Sequence, residues 1–214
     1  MLSLPKNCPV ALSLIVINVL LYIGQMATAE GLTQLGLLYG PAVQQGQWWR
    51  LLSSGFLHGS LLHIGFNMYL LYLLGPQLEQ QFGSVRFLLM YLGALFGGAL
   101  AVMLFDFAQP TLGASAAVLG LAGTLGMALW VRGISPHRSP VFGLVVLNLA
   151  LPLLVPGISF WGHFGGVVAG ALMGWLLVWL PARSSRTNGQ SSLLAATVAV
   201  VALALISAGI ALRG

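Results

Sequence analysis

Four polar side chains stand out in a chain of 214 residues that is 58% hydrophobic and only 5% charged: His63, Asn67, Ser115 and His163. A serine hydroxyl is a poor nucleophile until a base takes its proton, and neutral imidazole is the usual base near neutral pH. Acyl transfer also needs hydrogen-bond donors aimed at the developing oxyanion. His63 and Asn67 are four residues apart, so on a helix they share one face and offer two side-chain donors, with the Ser115 backbone N–H as a third. No acid sits where it would complete a triad, since Glu79 and Asp106 fall at the ends of their segments. The set therefore reads as a Ser115–His163 dyad with His63 and Asn67 as oxyanion donors. Each residue also has a plainer role open to it. Ser115 can cap a helix, and His63 and Asn67 can tie helices together. His58, His63 and His163 have the number of nitrogens a zinc hydrolase uses, but no HExxH supplies a base and no acid lies at that depth, so neither metal nor cofactor is expected. His58 reads as structural and His137 as a solvated loop residue.

These groups belong to elements that must lie in a bilayer. Soluble domains are about one quarter charged, whereas eight Lys and Arg with three Asp and Glu and a mean hydropathy of +0.97 exclude a water-facing globule. The net charge of +5 comes from basic residues scattered singly, which excludes a nucleic-acid surface. A single cysteine, Cys8, excludes an internal disulfide and leaves the redox compartment open. Breaks in hydropathy predict seven spans, at residues 10–28, 61–78, 85–107, 115–131, 141–155, 161–180 and 192–212. All are expected to be helices, because lipid offers backbone groups no partner and nothing here alternates like barrel strands. The first reads as a retained span rather than a signal peptide. Pro152 and Pro156 shorten or kink the fifth. A cytoplasmic N-terminus puts Lys6, Arg86, Arg132, Arg138, Arg183 and Arg186 inside and only Arg50 and Arg213 outside, as the positive-inside rule demands. The connection from 29 to 60, with Gln47-Trp48-Trp49-Arg50, then lies at the outer interface.

A polar residue at membrane depth is a functional candidate by default. Measured from the inner ends of their spans at 1.5 Å per residue, Ser115, His163 and His63 lie about 25, 27 and 24 Å up, respectively. In a hydrocarbon core of roughly 30 Å they are coplanar, just below the outer surface. Gly162, Gly166, Gly170 and Gly174 form a stripe on the sixth span, and Ala116, Gly120 and Gly123 a matching small face on the fourth. Small faces allow close approach in lipid, so these two helices are expected to meet and to bring Ser115 within reach of His163.

Trp49-Arg50, His58, His63, Asn67, Gly113-Ala114-Ser115, and His163 with Gly166 and Gly170 follow one another between about Trp48 and Leu180. In this order they resemble the rhomboid intramembrane serine proteases. The resemblance implies an all-α polytopic membrane protein with a six-helix rhomboid-like core at 1–182, a cytoplasmic linker at 183–191 and a seventh C-terminal transmembrane helix at 192–214, as in the six-plus-one variant. It implies Ser115 as nucleophile, His163 as base, and His63 and Asn67 in the oxyanion hole. It also implies that Trp49 and Arg50 belong to a loop in the outer leaflet, and that Gly75, Glu79 and Gly83 form an inner turn. Two positions depart from the family pattern: Ala116 follows the serine where glycine is common, and Leu119 stands where an aromatic often stacks on the histidine. The expected partners are transmembrane protein substrates and membrane lipid, and the expected location is a bacterial inner membrane, multi-pass. The alternatives are an inactive rhomboid-like protein that binds membrane clients, and a transporter. The apolar inner halves of the three site spans count against a transporter.

Overall fold

The computed structural model describes residues 8–155, 157–183 and 189–211. Its first long helix, α1 (Pro9–Ala27), starts on a proline, whose missing N–H costs nothing at a helix start. The connection that follows folds as three short helices, α2 (Gly31–Gly36), α3 (Gly40–Gln44) and α4 (Arg50–Ser53), closed by a 3₁₀ turn at Ser54–Phe56. Then come α5 (Leu61–Phe82), α6 (Ser84–Phe105), α7 (Ser115–Val131), α8 (Pro140–Ala150) and α9 (Phe160–Gly174). A π-helical stretch, Trp175–Trp179, leads from α9 into α10 (Leu180–Arg183), and α11 (Gly189–Ala211) ends the described chain. Among the described residues four helices are long and apolar enough to cross a membrane, and α4 with its turn and α5 are apolar enough together but bent by 91° where they meet. The protein is an integral, multi-pass, all-helical membrane protein. The fifth expected span is the one most reduced. α8 stops at Ala150 and passes into a 3₁₀ turn, Leu151–Leu153, because Pro152 cannot donate to the helical ladder. Pro156, Lys6, Arg186 and Arg213 lie outside the described residues.

Three helices, not two, make the close-packed centre. A Cβ on Gly166 or Gly170 of α9 would enter the backbone of Ala116 or Gly120 on α7, as the two small faces predicted. α6 joins them: a Cβ on Gly97 would lie 3.0 Å from the Gly165 carbonyl, and one on Gly98 2.8 Å from the Gly162 carbonyl. Thr124 Oγ1 donates to the Gly170 carbonyl at 2.7 Å, a buried tie between α7 and α9. In lipid no hydrophobic force draws helices together, so close van der Waals contact and such hydrogen bonds must do it. α11 follows a polar linker yet packs along α6. Ala196 and Val200 enter the main core, while Ala208 and Ile210 cover a second cluster of Leu38, Val43, Leu51, Ala99, Val102 and Met103.

At the end of the bundle away from Ser115, Glu79 is 2% exposed. Its carboxylate accepts from Val10 N at 3.0 Å and Ala11 N at 2.7 Å, and from Ser84 Oγ at 2.6 Å. It thus caps the positive end of α1 and clamps the α5–α6 turn. Glu79→Ala leaves buried N–H groups without partners and is expected to destabilise the protein by about 2–3 kcal/mol. Glu79→Gln, which keeps one acceptor oxygen, should cost less. Thermal unfolding in detergent measures both, and equal losses would mean that the charge and second oxygen contribute nothing.

The 29–60 connection is tied down by side-chain and backbone hydrogen bonds. Arg50 is buried and donates to Gln47 Oε1 and to the carbonyls of Leu37 and Gln34 at 2.7–2.8 Å. Trp49 Nε1 donates to the Leu35 carbonyl. Leu38 and Thr111 exchange backbone hydrogen bonds, and Gly113 N donates to the Ser54 carbonyl at 2.9 Å. The connection therefore braces the turn that delivers Ser115.

Candidate active site

Ser115 opens α7, and His163 lies in the first turn of α9. Ser115 Oγ and His163 Nε2 are 2.9 Å apart. The other ring nitrogen, Nδ1, is 2.9 Å from the backbone carbonyl of Asn148 on α8. A carbonyl can only accept, so Nδ1 carries the proton and the neutral ring presents the Nε2 lone pair to the hydroxyl. This is the tautomer a general base requires. The start of α9 is fixed by Ser159, whose Oγ accepts from Gly162 N at 3.1 Å and donates to Asp106 Oδ2 at 3.2 Å. Its carbonyl accepts from His163 N at 3.3 Å.

His63 sits in the first turn of α5, where its N–H donates to the Ser60 Oγ cap. Gly59 N–H approaches His63 Nδ1 at 3.4 Å, which leaves Nε2–H as the free donor. That nitrogen faces the turn before Ser115: a Cβ on Gly113 would lie 2.7 Å from it. Gly113 has φ +128°, so both its backbone and the nearby imidazole require glycine. Asn67 follows one turn along α5 and is buried, with Nδ2 donating to the His63 carbonyl at 2.9 Å. One amide N–H is thus held within its own helix, and the second makes no hydrogen bond among the described residues. His58 packs edge-on against His63, ring centroids 5.0 Å apart, and does not reach Ser115. His137 bonds Ser135 beyond the far end of α7.

The two departures noted in the sequence have local answers. Ala116 directs its methyl at α6, where Gly98 leaves room: a Cβ on Gly98 would lie 2.5 Å from the Ala116 Cβ. Leu119 is fully buried in α7. Gly98→Ala is expected to cost about 1–3 kcal/mol by overpacking. Ala116→Gly should recover part of that loss and no more, since the Gly162 carbonyl stays in the way. A double-mutant cycle on melting temperature tests this pairing, and simple additivity would break it. The Asn148 carbonyl, the Ser159–Asp106 link and the glycines of α6 escaped sequence reasoning. The first is backbone and the second joins residues 53 apart, whereas the third left a signal in the four-residue spacing of Gly93, Gly97 and Ala101.

Fold and site together define a polytopic helical membrane protein in which a serine and a histidine from two helices meet within the span of the bundle. The chain belongs to the rhomboid family, whose domain profile matches residues 45–180. It is 32% identical over 167 residues to rhomboid protease GluP of Bacillus subtilis (strain 168), covering 75% of this chain and 32% of that protein. It is 35% identical over 161 residues to the mitochondrial RHOMBOID-like protein 6 of Arabidopsis thaliana, covering 72% and 52%. With rhomboid-like protease 1 of Toxoplasma gondii it shares 32% over 179 residues, covering 75% and 60%. The chain thus spans about a third to three fifths of the length of these relatives. Rhomboids are generally intramembrane serine proteases, although some are inactive.

Proposed function

We propose that this protein is an active serine endopeptidase that cleaves transmembrane substrates, with Ser115 as nucleophile and His163 as base. The observation that carries this reading is the 2.9 Å contact between Ser115 Oγ and His163 Nε2, made by a ring whose Nδ1 proton is already engaged. Ser115 Oγ attacks the substrate carbonyl carbon as its proton passes to Nε2. The tetrahedral oxyanion is stabilised by the Ser115 N–H, His63 Nε2–H and the second Asn67 N–H. Collapse breaks the C–N bond, His163 returns the proton to the leaving amine, and water, activated by the same nitrogen, releases the acyl group from Ser115.

Ser115, His163 and His63 project from the first turns of their helices, with Asn67 one turn further along α5, so cleavage takes place near one membrane face. We place that face outside, with the N-terminus in the cytoplasm of a bacterial inner membrane; the distribution of basic residues supports this orientation. The core ends with α10, and α11 is the seventh helix, starting at Gly189 rather than after a linker that runs to 191. Regular helix hides its carbonyls, so substrates with Gly or Pro near their outer ends are expected to be preferred. Small side chains next to the bond should suit the space beside Ala114 and Ala116.

A fluorophosphonate probe tests the nucleophile. Wild type should be labelled and Ser115→Ala should not, with both proteins folded. Failure of well-folded wild type to label would overturn the protease reading in favour of a client-binding rhomboid.

A further inference from the structure

Pro152 stands four residues after Asn148. In an unbroken helix the N–H of residue 152 would donate to the Asn148 carbonyl, and proline has none. The local ladder shows the interruption: Leu151 N still reaches the Leu147 carbonyl, whereas Leu154 N tightens to the Leu151 carbonyl at 2.9 Å, a 3₁₀ bond in place of a helical one. The carbonyl that loses its helical donor is the one His163 Nδ1 meets at 2.9 Å. Asn148 and His163 are 4% and 5% exposed, so water does not compete for this bond. The Asn148 side chain is turned away and donates to the Leu144 carbonyl.

We propose that the Asn148 carbonyl, kept free by Pro152, is the third member of the catalytic arrangement and positions the base. The inference rests on Ser115 and His163 acting as the dyad. The carbonyl holds the proton on Nδ1, so Nε2 is unprotonated and aimed at Ser115 Oγ. When the Ser115 proton moves to Nε2, the Nδ1 proton stays in place. The resulting imidazolium then lies against a carbonyl that has no helical donor, at the C-terminal, negative end of α8, where a cation is stabilised. A backbone oxygen thus orients and supports the base as a carboxylate does in a triad, without bringing a charge into the membrane.

Pro152→Ala restores an N–H that competes for the Asn148 carbonyl. It is expected to lower kcat by about 10-fold to 100-fold, part of what a base contributes, with KM changed by less than about twofold. Pro140→Ala, at the other end of α8, should leave turnover unchanged. The decisive readout needs no turnover. In protein labelled with ¹⁵N-histidine and carrying Ser115→Ala, the His163 ring has lost its hydroxyl partner, and it should still be the single Nδ1–H tautomer at pH above its titration. Adding Pro152→Ala should introduce the Nε2–H form. A dominant Nε2–H tautomer with Pro152 intact overturns the proposal, even if Pro152→Ala fails to fold, and so does unchanged kcat in a folded Pro152→Ala. An inactive wild type that keeps the Nδ1–H tautomer would instead defeat the protease reading while leaving this geometry intact.

Discussion

His163→Ala is expected to lower proteolytic turnover by at least about 10,000-fold, as loss of a member does in comparable nucleophile–base sets. The reason is local. Ser115 Oγ has the Nε2 lone pair 2.9 Å away, and no other described basic group contacts that hydroxyl, because His63 directs a donor rather than a lone pair toward the turn. Without the ring the hydroxyl keeps its proton, and both formation and breakdown of the acyl intermediate slow together. The pH profile supplies an independent signature. Imidazole accepts a proton only when neutral, so wild-type activity should fall as pH drops through the histidine range. The residual rate of the variant should lack that acid limb. Cleavage of a single-span reporter, followed by mass spectrometry across pH, measures both. Substantial turnover in folded His163→Ala would remove the dyad.

Gly170→Val is expected to abolish the folded state and with it all labelling of Ser115. A Cβ at 170 would be driven into the backbone of Gly120, and the next turn of the same stripe, Gly166, meets the backbone of Ala116 in the same way. Backbone cannot swing aside as a long side chain can. α9 would have to withdraw from α7, breaking the Thr124 bond to the Gly170 carbonyl and parting Ser115 from His163. We expect a cost of at least about 3 kcal/mol, the upper range for overpacking, with no hydrophobic gain in lipid to offset it. Gly143→Val on α8, where an added Cβ meets nothing within 4 Å, is the control and should remain folded. Thermal unfolding of the two variants beside wild type decides the matter, and a stable, labelled Gly170→Val would mean that the helices can separate without losing the site.

How much of this could be read from residues alone depended on the physical signal each feature leaves. Ser115, His63 and His163 were conspicuous because ionisable and polar groups are costly in a bilayer, so the few present at one depth point to each other. The Gly162–Gly174 stripe was legible because its four-residue period matches a helix face, and it named α7 as a partner. It did not reveal α6, where Gly93 and Gly97 share the four-residue spacing but only as a single pair, with Gly98 beside them. Nor did hydropathy distinguish a full span from the eleven-residue α8. Only the two prolines hinted at the break, and what the freed carbonyl would touch depended on where α9 came to lie.

The sequence by itself determined that this is a helical membrane protein, which segments are apolar enough to enter lipid, and which polar side chains stand at membrane depth. These follow from composition, period and chemical type, which are properties of the chain one residue at a time. Only the tertiary structure decided that α11 returns along α6, that Ala116 fits because Gly98 is bare, that Asn67 commits one N–H to its own helix, and that the His163 ring meets a backbone oxygen. Each of these is a contact between residues distant in the chain, or a competition for one hydrogen-bonding group, and its outcome is set when the helices pack.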